Sequence, residues 1–476
     1  MSSKERIARA LAISTDTKVF EMGRDMSVCA AETFMKCFPG RKAVIVSDTN
    51  TWRVLGERVY AAFVEAGIPA VSYIIGKEEF HAHWQYVEMT DLLIEGRYDE
   101  ARAVENASDH VESDRDKAFK EPSEDYNILV AVGSGTINDL CKLSSYHYGQ
   151  QYLTLPTAAS VDGYSAFGAS ITYHGSKQTF SCPAPLAIVA DVDVIAGAPK
   201  EMTAAGYADL AAKIPAGAEW ILADAIGVEP LHPQAWPILQ DYLDGFLSDP
   251  QGVAKGEPDA VADLFEGLIL SGFAMQAARS SRPASCSDHL FSHILDMTDH
   301  RFNGKTQSHG FQVAVGTLTM CAVLDLFLKL DFSGLDVEAC VEAWPTLEQE
   351  QERALQIFKE LPAPLLGYEV ISQKYSTPDE VRAQLTALKK DWQSIQERIA
   401  AKSYPFVKMQ ALFKTVEAPY DPAHIGVSRS QLKDLFPVIQ LMRTRYNVFD
   451  LAMRGGFYES LVEPLFAEGG AWEINS

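Results

Sequence analysis

Residues 127–142 read NILVAVGSGTINDLCK. Asn127–Val132 is a short, continuous apolar run with β-branched residues, the pattern of a strand covered on both faces. It stops at Gly133, and Gly133-Ser134-Gly135-Thr136 leads into a helical pattern. Glycines let the backbone turn sharply and approach a ligand closely. The N–H groups at the start of the helix then face an anion, and the helix dipole adds to the attraction. Strand, glycine turn and helix form the geometry that holds a pyrophosphate. Thr136 and Asn138 add side-chain donors. The spacing is not GxGxxG, so taken alone a plain turn fits equally well.

Four further apolar runs flank this one: Lys42–Ser47, Ala70–Ile75, Tyr152–Leu155 and Leu186–Ala190. Helical stretches separate them, which predicts a mainly parallel sheet covered on both faces. Asp48 follows the first of these runs. An acid there binds a ribose hydroxyl or caps the next turn, and the sequence leaves both open. A second small-residue turn, TLPTAAS, closes the 152–155 run and continues into Val161-Asp162-Gly163. From Glu78 to Asp125 the chain is polar and reads as a solvated insertion of exposed helix and loop. Beyond about Thr203 helical patterning dominates. We therefore expect an α/β domain over 1–202 and an all-helical domain over 203–476, with Leu231–Asp263 a surface excursion. Phe311–Leu328 carries Gln312, Thr317, Thr319 and Asp325, which favours a buried helix over a membrane span.

The chain has 476 residues, 47% of them apolar, and a formal charge of −23. That length supports two or three domains and a sizeable core. The negative charge argues against nucleic acid and anionic membrane surfaces as general partners, but a local pocket can still take an anion. The seven cysteines are an odd number and form no CxxC pair, which fits reduced thiols in a cytoplasmic protein. The opening MSSKERIARALAIS lacks the apolar core of a signal peptide.

Asp209 lies among small apolar residues in AAGYADLAAK, where a buried carboxylate needs a cation or several donors. Lys213, four residues on, offers a helical ion pair. His289 and His293 in SDHLFSHILD share one helix face, and His309 follows in SHG. One Asp and two His can hold a divalent metal with a position left open. Two histidines four apart are also common as packing residues, so the spacing leaves both readings standing.

Taken together, five blocks resemble the glycerol-1-phosphate dehydrogenases. These belong to the wider superfamily of iron-containing alcohol dehydrogenases, glycerol dehydrogenases and dehydroquinate synthases. The blocks are VGSGTINDLCK (132–142), LPTAASVDGYSAFGASI (155–171), IVADVDVIAGAPKEMTAAGYADLAAK (188–213), SRPASCSDHLFSHILD (281–296) and SHGFQVAVG (308–316). The resemblance implies a dehydroquinate synthase-like fold: an α/β nucleotide-binding domain, then a helical domain, with the active site in the cleft. It makes Gly133, Ser134, Gly135, Thr136 and Ile137 the pyrophosphate loop. It makes Thr157, Ala158, Ala159 and Ser160 a second nucleotide-contacting turn, with Asp48 near the ribose. It implies Asp209, His289 and His309 as metal ligands, and Asp162 and His293 as substrate contacts. One departure stands out: related chains carry a serine four residues after the substrate Asp, where this chain has Ala166 preceded by Ser165.

The activity so implied is reversible reduction of dihydroxyacetone phosphate to sn-glycerol 1-phosphate with NADH or NADPH, a step that fits phospholipid biosynthesis. The alternatives are a glycerol or other alcohol dehydrogenase of the superfamily and a dehydroquinate synthase-like lyase. Nitrogen and oxygen ligands suit zinc first, then nickel or iron. Asp48 favours NAD, because a carboxylate repels a 2′-phosphate. Lys213, Arg279 and Arg282 are candidates for the substrate phosphate, and a homodimer is the expected assembly.

Overall fold

A computed structural model describes residues 1–77 and 80–474. Glu78 and Glu79, the first residues of the polar stretch, lie outside the described residues.

The main sheet has six parallel strands: β1 (Val19–Gly23), β2 (Ala43–Asp48), β3 (Ala70–Ile75), β4 (Ile128–Gly133), β5 (Leu153–Pro156) and β8 (Ala187–Asp191). Their order is β1-β8-β5-β4-β2-β3. The five expected runs all form strands of this sheet. Alternate residues of the strands feed two cores. Ile45, Val130, Val132, Leu155 and Val189 pack with Phe34, Val59 and Phe63. Val44, Val46, Leu129 and Ala131 pack on the other face with Met89, Leu93, Ile137 and Cys141. Burial on both faces explains why these strands read as continuous apolar runs. Edge strand β1 has the sequence VFEMG and was not foreseen. Nor was the antiparallel hairpin of β6 (Ala169–Tyr173) and β7 (Ser176–Phe180).

The strand order reverses between β2 and β4. From β2 the chain moves to β3 on one side; from β4 it moves to β5 and β8 on the other. Ligands of open parallel sheets bind at the carboxyl ends of strands at such a switch point. Asp48 ends β2 and Gly133 ends β4. Their strands pair in register through Val46 and Ala131.

The described residues fall into two compact units: Met1–Gly206 with Asp244–Ser280, and Tyr207–Leu243 with Ser281–Ser476. The sequence reading put 244–280 in the helical domain. The structure groups this segment with the sheet, and the contacts show why. In the helix Pro258–Ala278, Gln276 donates to Ser165 O at 2.6 Å and accepts from Thr17 N at 3.2 Å. Glu266 pairs with Arg6 at 2.6 Å, and Phe273 meets Phe20 edge-on. These partners lie more than a hundred residues away in sequence, beyond any local pattern. The Leu231–Asp263 excursion is also corrected, because Ala235, Ile238, Leu239, Leu243, Leu247, Val253 and Val261 are buried. Within 78–125, helices Trp84–Ile94 and Tyr98–Asn106 bury Trp84, Val87, Leu93 and Ala101, and a mainly exposed loop follows.

The second unit is helical apart from a two-residue ladder at Arg301–Phe302 and Lys305–Thr306. Among the described residues two helices, Pro258–Ala278 and His309–Phe327, are long and apolar enough to cross a membrane, but both are mostly buried within the protein. All seven cysteines are free thiols.

Candidate active site

In the first unit the two turns meet. Helix Gly135–His147 starts directly after β4, and Ser134 precedes it in extended conformation without a side-chain cap. The N–H groups of the first turn have no intrahelical partner by construction. Ser134, Gly135 and Thr136 are partly exposed there. The side chain of Ile137 is buried in the core, so only its backbone can serve a ligand. Thr157 N donates to Gly133 O at 3.2 Å, which fixes the TAAS turn beside the glycine turn. Helix Lys200–Ala211 lies against that turn. A Cβ on Gly206 would fall 1.9 Å from Ala159 O, so only glycine permits this approach.

Asp48 caps the turn after β2, accepting from Asn50 N at 2.7 Å and Thr51 N at 2.8 Å. Asn138 is not a ligand donor as the sequence suggested. Its amide donates to Gly163 O at 3.2 Å and accepts from the Tyr152 hydroxyl at 3.0 Å. Lys142, buried and missed by sequence reading, donates to Gly163 O at 2.8 Å and Gly168 O at 2.9 Å. Together the two side chains clamp the 163–168 loop onto the helix that follows the glycine turn. Asp162, at the start of the 3-10 turn Asp162–Tyr164, accepts from Ser271 Oγ at 2.8 Å. The Ser165 hydroxyl donates to Ile269 O at 2.8 Å and is buried. It does not stand in for the serine missing at Ala166.

In the second unit Asp209, His289 and His309 bring one potential ligand atom each to within 4.8 Å of one another. Among the described residues no other group of three His, Cys, Asp or Glu does so. Asp209 lies on helix Lys200–Ala211, His289 on Ser287–Met297, and His309 begins His309–Phe327. The last two helices touch where a Cβ on Gly316 would fall 2.0 Å from Asp288 O. Ser308 caps the last helix, accepting from Phe311 N, and so places His309 at its mouth. His289 Nε2 is 3.5 Å from Asp209 Oδ1, and the two imidazole centroids are 5.3 Å apart. His293 is partly exposed, one turn beyond His289.

Lys213 Nζ donates to Asp209 Oδ1 at 2.6 Å, and both side chains are buried. Burial pushes the Asp209 carboxyl up, but Lys213, then His289 and His309, hold it well below the usual carboxylate range. Burial works to lower the His289 imidazole, while Asp288 and Asp209 outweigh it and raise its pKa. The result is an ionised carboxylate facing two imidazoles. This donor set fits a divalent ion with nitrogen and oxygen ligands. Arg282 is not available to a substrate phosphate. It is buried, donates to Tyr446 O and Glu219 O at 3.2 Å each, and pairs with Glu229 at 3.1 Å.

The iron-containing alcohol dehydrogenase family matches residues 26–199. A glycerol-1-phosphate dehydrogenase (NAD(P)+) from Bacillus velezensis is 31% identical over 314 residues, 66% of this chain and 70% of that protein. The chain belongs to the glycerol-1-phosphate dehydrogenase family. A member from Bacillus licheniformis is 30% identical over 290 residues, 60% of this chain and 65% of its own length. The chain spans between 49% and 72% of the length of the curated relatives that it matches. Among solved structures, glycerol dehydrogenase from Schizosaccharomyces pombe superposes with a TM-score of 0.50 at 19% identity, covering 83% of this chain and 94% of that one. At that identity the likeness speaks for the fold.

Proposed function

We propose that this chain is an NAD(P)- and metal-dependent sn-glycerol-1-phosphate dehydrogenase that reversibly reduces dihydroxyacetone phosphate. The observation that carries the proposal is the Asp209–His289–His309 cluster in a member of this family. Asp209, His289 and His309 would hold one divalent ion, zinc first and nickel or iron next. When bound there, such an ion would supply Lewis-acid stabilisation of the substrate oxygen, and the reduced nicotinamide would supply hydride. Gly133–Ile137 and Thr157–Ser160 cradle the nucleotide phosphates, and Asp48 accepts from the ribose. Asp162 fixes a substrate hydroxyl. His293, one turn from His289, delivers the proton to the alkoxide in reduction and removes it in oxidation. A phosphorylated substrate, a homodimeric assembly, a cytoplasmic site of action and a place in phospholipid biosynthesis complete this reading.

The test is an initial-rate comparison of dihydroxyacetone phosphate with dihydroxyacetone, using NADH and NADPH, with and without chelator. Consumption of the reduced nucleotide should depend on the phosphate and cease with chelator. Equal rates on the two ketones would reject the phosphate assignment.

A further inference from the structure

Each histidine of the cluster has its second ring nitrogen held. The Asp288 carboxylate is fully buried. Its Oδ1 accepts from Cys286 N at 3.1 Å, and its Oδ2 is hydrogen-bonded to His289 Nδ1. Across the site, Ser292 Oγ lies 3.0 Å from His309 Nδ1 and donates to Gln312 Oε1 at 2.6 Å. Ser292 and Gln312 are fully buried.

The direction of each bond follows from what its partner can do. A carboxylate oxygen accepts, so in the neutral ring His289 Nδ1 carries the proton and Nε2, which faces Asp209, is left with the lone pair. The Ser292 hydroxyl has one proton, and it goes to Gln312. Its oxygen must therefore accept from His309 Nδ1, which again leaves Nε2 the lone pair.

We infer that Asp288 and the Ser292–Gln312 pair are positioning residues that fix both imidazoles in the Nδ1-protonated tautomer and aim both Nε2 atoms at one metal ion. The inference rests on the metal reading above. Groups of this kind set ring orientation and ligand basicity, and losing one weakens metal affinity by about 10–100-fold. The Gln312 amide nitrogen is buried without a partner, so the orientation of that amide rests on its bond to Ser292.

The experiment measures zinc affinity of the metal-stripped full chain by competition with a chromophoric chelator. Thermal unfolding of the stripped protein reports on the fold. Asp288→Asn presents an amide donor that inverts the His289 tautomer, and should weaken zinc binding by about 10–100-fold. Ser292→Ala should do the same from the other histidine. Gln312→Glu can only accept, so it should bind zinc at least as tightly as wild type. All three should unfold within a few degrees of wild type. Wild-type affinity in both Asp288→Asn and Ser292→Ala overturns the inference. A fall in Gln312→Glu matching that in Ser292→Ala overturns the assigned direction of the Ser292 bond. If Asp288→Asn fails to fold, the two variants around His309 decide. Undiminished zinc binding in His309→Ala sinks the metal reading itself and this inference with it, whereas the outcomes above leave that reading standing.

Discussion

At the residue scale, the surroundings of Asp209 are compatible with both roles that its sequence context allowed. Its pair with Lys213 at 2.6 Å is real, yet the same oxygen faces His289 at 3.5 Å. A buried carboxylate with one cation partner remains ionised and able to ligate. The raised His289 has a direct consequence. A metal must displace a proton from that imidazole, and a raised pKa makes the proton compete to higher pH. Zinc affinity should therefore keep rising as pH climbs past the ordinary histidine value of about 6.5 and level off above the folded value. Affinity independent of pH over that interval would contradict the shift. Asp48 makes a second prediction. Asp48→Asn keeps an acceptor for the two capped N–H groups but removes the charge that repels a 2′-phosphate. The ratio of kcat/KM for NADPH over NADH should rise about tenfold, or about 1.4 kcal/mol, with little change in Tm. An unchanged ratio would remove Asp48 from nucleotide discrimination.

At the element scale, what could be read from the sequence depended on whether the deciding contacts were local. The inner strands announce themselves because burial on both faces demands apolar runs, and edge strand β3, only partly buried, still reads as one because five of its six residues in AVSYII are apolar. The edge strand β1 carries Glu21 at its centre, exposed on one face, and so loses that signature. Helix Pro258–Ala278 was legible as a helix, but its place beside the sheet was not, since Gln276, Glu266 and Phe273 find their partners across the chain. The clustered residues Asp209, His289 and His309 were visible as residue types. Asp288, Ser292 and Gln312 were not, because nothing in SDHLFS or HGFQ says which polar side chain meets which imidazole until two helices cross. Gly316 is where they cross. Gly316→Ala would push a methyl group into the backbone at Asp288 and force the helices of His289 and His309 apart. Overpacking of this kind costs about 1–3 kcal/mol. We expect a lower Tm and a loss of bound metal that exceeds the loss of fold. Full metal occupancy in Gly316→Ala would show that the crossing is not what sets the ligand spacing.

At the scale of the whole molecule, the residues proposed for nucleotide and for metal fall in different units of the chain. The glycine turn, the TAAS turn and Asp162 belong to the first, and Asp209, His289 and His309 belong to the second. A ligand stabilises the segments whose opening breaks its site, by RT ln(1 + [L]/Kd), about 4 kcal/mol at a thousandfold excess over Kd. Hydrogen exchange should therefore separate the two partners. Removing metal should speed exchange in helices Ser287–Met297 and His309–Phe327, which are joined through Gly316 and the Ser292–Gln312 bond. Saturating with nucleotide should instead slow exchange in the first turns of Gly135–His147 and in 157–163. Lys142 and Asn138 tie the 163–168 loop to that helix, so protection should spread to the loop as well. If chelation changed exchange chiefly in the glycine and TAAS turns and left the two helices of the second unit unaltered, the metal would have to be held by residues other than Asp209, His289 and His309.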